Sequence, residues 1–455
     1  MKWSLASRVI ELRQREVLFI SFLLPCLLAL LPLMAAGGVL ESPPPTSPSG
    51  PTSNRDPSCF EYRLPRGRYE KAVALARAEN GLYFISMGWG ILSILLLLQL
   101  GIVAKLRDFA EGVGRSRVLE SLIFIPCLIL MLAVAHLPIS IYGHHLVLQY
   151  ELSVQGWGSW IWDWTKRELL TIALGFLVIW ILLGVIGWKP RTWWLYFWIA
   201  IVPMALFLFF ISPWVLDPLF HTFEPLQRNY PELVESIGKL TERAGVPIRP
   251  ERMFLMEASA KTNEINAYVT GFGASKRVVV WDTTIEKAPP EEVLYIVGHE
   301  LGHYVLGHVW KGFLFFVLGM FFALYFAHRL LEGMVSRWGR NWGVRGQRDW
   351  AALAVLLLIM QVLGFLGTPL ENGFRRIQEH EADVYGLEVT YGLLPDSNKV
   401  AAEAFQVLGE VDLANPNPSK FITFWLYSHP PIRDRLSFAC SYDPWSRGQS
   451  PQFVK

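Results

Sequence analysis

The chain is short of charge and short of cysteine, and each shortage removes a class of explanation. Of 455 residues only 18% are Asp, Glu, Lys or Arg, against about 25% in ordinary soluble domains, which argues against a purely water-facing protein. The formal net charge of +2 gives no basic surface on which to propose a nucleic-acid partner. Four cysteines, at 26, 59, 127 and 440, form no CxxC pair, which excludes a cysteine-built zinc site. No solenoid-type repeat is present. What the chain has instead is 52% hydrophobic residues, 19 tryptophans and a mean hydropathy of +0.32, the composition of a membrane protein.

The apolar residues fall into runs. After a basic segment (Lys2, Arg8, Arg13, Arg15), residues 17–36 are close to the roughly 20 needed to cross a bilayer. A signal peptide ending near Ala35-Ala36-Gly37-Gly38 is the alternative, but the run is long for a cleaved segment. A Pro- and Ser-rich stretch, about 41–58, reads as an exposed loop. Further spans are expected at 82–104, 119–142, 169–188, 193–214, 313–331 and 351–370, with Pro126, Pro203 and Pro213 as kinks. Between the fifth and sixth of the seven spans the chain turns polar, with an amphipathic helix near 231–244 and β-rich runs at 252–256 and 277–281.

The chemistry is concentrated in residues 289–303, Pro-Pro-Glu-Glu-Val-Leu-Tyr-Ile-Val-Gly-His-Glu-Leu-Gly-His. Proline in a first helical turn loses no donor, and Glu291 and Glu292 suit the positive end of the helix dipole. His299 and His303, four apart, lie on one helical face and can converge on a metal with Glu300 beside them. A catalytic zinc takes three protein ligands and keeps a position for water, so one ligand is missing. His308 is out of register for a third histidine and reads as a supporting or merely polar residue. Glu379, just after the last span, shares a helical face with Asp383 and is the better candidate. His380 and Glu381 remain fallbacks. Asp383 suits the outer nitrogen of a ligand imidazole.

Taken together, His299-Glu300-Leu301-Gly302-His303, the ExxxD of Glu379 to Asp383, Asn266-Ala267-Tyr268 followed by 277–283, and Tyr427-Ser428-His429-Pro430-Pro431 with Arg435 resemble the zinc-dependent type I CAAX prenyl proteases. Leu152 to Trp157, Trp162-Asp163-Trp164 and Pro218-Leu219-Phe220 match as well, so the resemblance covers about 69–438. It implies a multi-span α-helical membrane protein of about seven transmembrane helices that can enclose a chamber. With them goes a small α+β gluzincin-type zinc peptidase domain, assembled from the loop after the fifth span and the C-terminal tail. The expected divisions are 1–214, 215–309, 310–371 and 372–455. One zinc ion is implied on His299, His303 and Glu379, with Glu300 and His429 catalytic and His429 facing the oxyanion. Asn266, Ala267 and Tyr268 would bind substrate as an edge strand. Arg435 joins them as a carboxylate-binding cation, or else supports a helix.

The implied partners are the bilayer and a peptide or protein substrate, prenylated or membrane-tethered. A quality-control metalloprotease without a prenyl requirement is an alternative. A transporter or lipid-binding scaffold with a structural metal is another, although no span carries the paired charges of a transport path. The resemblance implies a cytosolic site. The Lys and Arg residues at 2–15, 105–117, 189–191 and 337–348 lie opposite the site and imply the reverse. In the latter case Cys59 and Cys440 share an oxidising compartment and can pair.

Overall fold

The computed structural model describes residues 61–454. Helix α1 (Arg66–Gln99) is followed by α2 (Ile102–Val113), α3 (Arg117–Gln149), α4 (Trp157–Trp188) and α5 (Trp193–Val215). Then come the single turn α6 (Asp217–Phe220), β1 (Phe223–Pro225), α7 (Pro231–Arg243), β2 (Met253–Met256), β3 (Ala267–Thr270), β4 (Arg277–Trp281) and α8 (Asp282–Lys287). The last part is helical: α9 (Pro290–Val305), α10 (His308–Trp342), α11 (Ala352–Thr390), α12 (Ser397–Val411), α13 (Lys420–Leu426) and α14 (Ile432–Ser441).

Among the described residues six helices are long and apolar enough to cross a membrane: α1, α3, α4, α5, α10 and α11. The expected first span, 17–36, lies outside the described residues. Pro126 and Pro138 lie within α3, Pro203 and Pro213 within α5, and Pro369 within α11, where neighbouring helices can satisfy the freed backbone groups. The span expected at 82–104 is corrected. The helix begins far earlier, at Arg66, and stops at Gln99 because Gly101 turns the chain at φ +64°. Beyond it α2 lays Val103, Ala104 and Ala110 against the bundle. The bundle core is built from residues such as Leu98, Phe124, Trp193, Phe197, Leu324 and Val355.

A second core belongs to the polar lobe, around Ile237, Val278, Val280, Tyr295, Leu301, Leu387 and Phe405. Its four-stranded sheet has the order β1-β2-β4-β3; β2 and β4 are parallel and the other pairs antiparallel. That order leaves β3 at an edge, and β3 packs against α9. The bundle holds this lobe through the loop before β3. Lys261 Nζ donates to Asp163 Oδ2 of α4 at 2.7 Å and to the Phe220 carbonyl at 2.6 Å, and Asn263 N donates to the Leu152 carbonyl at 3.0 Å.

Two small-residue positions let α9 and α11 approach closely. A Cβ on Gly302 would stand 3.2 Å from the Ala382 Cα, and one on Gly386 would stand 3.2 Å from the His299 backbone nitrogen. Larger side chains there would separate the two helices, as overpacking does in any dense interior. The C-terminal segment is tied to α11 as well: Phe453 N and Val454 N donate to the buried Glu388 carboxylate at 2.7 and 2.9 Å. Cys440 is fully buried and disulfide-bonded, while Cys59 lies outside the described residues.

Candidate metal centre

Helix α9 starts at Pro290, with the acidic pair in its first turn, and carries His299, Glu300 and His303 into the interior of the lobe, each 3% exposed or less. Helix α11 crosses it at the glycine seam, which brings Glu379 opposite the histidines. His299 Nε2 and His303 Nε2 face each other at 3.0 Å. The Glu379 oxygens lie 3.4 Å from His299 Nε2 and 3.5 Å from His303 Nε2. Ligands of a tetrahedral zinc at about 2.0–2.1 Å are about 3.3 Å from one another, so this spacing fits zinc. Two imidazole lone pairs and a carboxylate converging on one point also call for a cation rather than for hydrogen bonds alone. Among the described residues, this group of three has ligand atoms all within 4.8 Å of one another.

The outer nitrogens of both histidines are held. His299 Nδ1 lies 2.9 Å from Asp383 Oδ1. Burial alone lowers the His299 imidazole pKa, but hydrogen bonds to Asp383 and Glu379 outweigh it and raise the value above the ordinary one. Asp383 is in turn gripped by Arg435, whose Nε reaches Oδ2 at 2.9 Å and Nη2 reaches Oδ1 at 2.5 Å. On the other side, His303 Nδ1 lies 2.9 Å from His308 Nδ1, and His308 Nε2 lies 3.0 Å from Glu381 Oε2.

His429 arrives from the loop between α13 and α14, with Nε2 at 3.3 Å from Glu379 Oε1 and Nδ1 at 2.9 Å from Ser428 Oγ. Helix α11 fixes that loop: Arg376 donates to the Thr423 carbonyl at 3.0 Å and also to the Tyr427 carbonyl. Asn266 precedes the edge strand and is buried; its N–H donates to Thr284 Oγ1 at 2.7 Å, while its Oδ1 has no hydrogen-bond partner among the described residues. Ala267 and Tyr268 pair with Val280 and Val279 on one side only.

Of the two roles expected for Arg435, the structure matches the supporting one and corrects its place among the substrate-binding residues. Expected among the substrate-binding residues, it is 1% exposed and committed to Asp383, with its guanidinium 4.5 Å over the Phe405 ring. It supports the helix behind the histidine instead of facing a substrate. Of the fallback ligands, His380 sits 4.5 Å from the Phe438 ring and Glu381 is spent on His308. The sequence marks His308 as a supporting or polar residue, but neither its partner Glu381 nor the Lys261–Asp163 clasp is visible in it. The paired residues are 73 and 98 positions apart, and the Trp162-Asp163-Trp164 motif bears on the second pair alone.

Residues 227–442 match peptidase family M48, and residues 52–222 match the family described as CAAX prenyl protease N-terminal, five membrane helices. The uncharacterized metalloprotease YhfN of Bacillus subtilis is 34% identical over 372 residues, 81% of this chain and 85% of that protein. The chain belongs to peptidase family M48. CAAX prenyl protease 1 of Saccharomyces cerevisiae is 25% identical, with 71% of this chain and 72% of that protein aligned. The fold matches the crystal structure of S. mikatae Ste24p with a TM-score of 0.72 at 22% identity, covering 94% and 99% of the two chains. The protein is thus a multi-pass membrane metalloendopeptidase of the CAAX prenyl protease type, acting on peptide or protein substrates.

Proposed function

We propose that this M48 peptidase uses one zinc ion, held by His299, His303 and Glu379, to cut a peptide laid along the edge strand β3. The observation that carries the reading is the convergence of those three side chains and His429 on one point, with Glu379 in contact with every imidazole. Bound there, zinc supplies Lewis acidity, activating a water and polarising the scissile carbonyl. Glu300 takes the proton of the attacking water and passes it to the leaving amine. His429 donates a hydrogen bond to the carbonyl oxygen as it gains negative charge, a kind of contact worth about 3–4 kcal/mol. The unpaired edge of β3 offers backbone groups at Ala267 and Tyr268, and Asn266 Oδ1 offers an acceptor, for the substrate main chain.

The natural test is one peptide in two forms, with and without a prenylated cysteine beside the scissile bond, before and after zinc removal by a chelator. Cleavage of the prenylated form that is lost with zinc and restored by it is the expected result. Cleavage of neither form by zinc-loaded protein overturns the reading, and equal cleavage of both points to a quality-control protease.

His308 and Glu381 orient His303 from outside the ligand set. His308→Ala should weaken zinc binding about 10- to 100-fold, the usual effect of removing such an outer partner. Competition with a chromogenic chelator measures this, and an unchanged affinity would remove His308 from that role.

The orientation we infer is extracytoplasmic. Lys105, Arg107, Arg115, Arg117, Lys189, Arg191, Arg337, Arg340, Arg345 and Arg348 sit at the helix ends opposite the metal centre, which the positive-inside rule assigns to the cytoplasm. The disulfide at Cys440 suits an oxidising compartment. A cysteine at exposed Lys399 on α12 should therefore react with an impermeant maleimide in intact cells. Reaction only after permeabilisation reverses the assignment.

A further inference from the structure

The turn joining β3 to β4 ends in a side chain that a water-facing hairpin has no use for. Phe272 is 58% exposed. Gly271 beside it holds φ +90°, and a Cβ there would collide with the Ser275 carbonyl oxygen, so the turn requires glycine and fixes the phenylalanine in place. The Phe272 ring lies 6.4 Å from Phe210 of α5 and 6.1 Å from Trp310 of α10, edge-on to both. Those two rings are 6.2 Å apart and themselves exposed, on helices long and apolar enough to cross the bilayer. Cations flank the group: Lys276 reaches over the Tyr304 ring at 5.9 Å, and Arg252 over Trp214, near the end of α5, at 5.3 Å. Aromatic rings bordered by cations on long stems are the composition of a membrane–water boundary.

We propose that Phe272, with Phe210 and Trp310, is an interfacial anchor that seats the β3–β4 hairpin in the lipid bilayer. Lipid is the occupant because the patch is continuous with the exposed apolar faces of two spans, Ile199 and Phe207 on α5, and Leu314 and Leu318 on α10. The consequence for a bound peptide rests on the peptidase reading above. Three residue steps of about 3.3 Å separate the ends of β3, so roughly 10 Å of strand lies between Ala267 and the end next to the anchored turn. A peptide paired with β3 lies along a strand that packs against α9 and ends two residues before Phe272. The anchor therefore sets the depth at which the edge strand, and any peptide paired with it, sits relative to the bilayer surface.

Two measurements test this on the full-length protein in phosphatidylcholine vesicles. In the first, bimane attached at Phe272→Cys is exposed to lipids bearing a nitroxide near the headgroup, with bimane at Lys399→Cys as the reference. Strong quenching at 272 alone is expected; equal, weak quenching at both positions overturns the anchor. The second compares a free peptide with the same peptide carrying an acyl chain four residues from the scissile bond. Phe272→Glu should lower the anchored-to-free ratio of kcat/KM at least about fivefold, through lost alignment of the edge strand with the membrane-held peptide, without changing cleavage of the free peptide. Phe272→Trp should restore the ratio. An unchanged ratio in Phe272→Glu overturns the proposal, and if that variant misfolds, the quenching result decides. Failure of the parent enzyme on both peptides would instead count against the peptidase reading, because the quenching measurement needs no catalysis.

Discussion

Replacing Glu300 by Gln should lower kcat for peptide cleavage about 10³-fold while leaving zinc affinity nearly unchanged, since positioned proton transfer is worth about 10²–10⁴. The argument rests on where Glu300 stands. It lies on α9 between the two metal-facing histidines and is 3% exposed, so no bulk water can substitute freely for it as a base. Glutamine keeps the volume and the hydrogen-bonding reach but cannot take up a proton at neutral pH. Steady-state cleavage measures the loss, and chelator competition on the same preparation measures zinc. A variant that cleaves at the parental rate removes Glu300 from the reaction; one that has lost zinc assigns it to the metal instead.

The second large effect is on stability. Arg435→Ala should destabilise the folded protein by about 3–5 kcal/mol, the cost of leaving one member of a buried ion pair without its partner. Both Asp383 and Arg435 are 1% exposed, so solvent gives the stranded carboxylate no relief. The double change Arg435→Met with Asp383→Asn removes both charges and should recover most of the stability, since a buried pair replaced by neutral groups is often close to neutral. It should not recover zinc affinity, which loses about 10- to 100-fold with the support at His299 Nδ1. Thermal unfolding in detergent separates these outcomes. An Arg435→Ala protein as stable as the parent would show that the pair contributes little.

These two residues also mark what a single sequence can and cannot disclose. The position of Glu300 between the two histidines was legible because its neighbours lie within one helical turn and the pattern of α9, from its prolines to its glycine, is local. The spans were legible for the same reason, although their ends were not. The apolar run near residue 100 continues past a glycine that turns the chain, and composition alone does not register that turn. For Arg435 the sequence leaves two roles open, because the one that applies depends on a carboxylate 52 residues away. His308 is legible as a supporting residue, but its partner Glu381 lies 73 residues away and no local pattern joins the two. The edge position of β3 likewise depends on strand order, which no periodicity encodes.

Helix α11 is one rod of 39 residues, about 58 Å at 1.5 Å per residue, that leaves the bilayer and carries Glu379 and Asp383 without an intervening loop. A change in hydrocarbon thickness that tilts this helix to relieve hydrophobic mismatch is therefore transmitted as a lever movement to two of the groups around the zinc position. In this architecture a tilt of α11 would move Glu379 and Asp383 relative to His299 and His303, with the glycine seam between α9 and α11 as the point of closest contact.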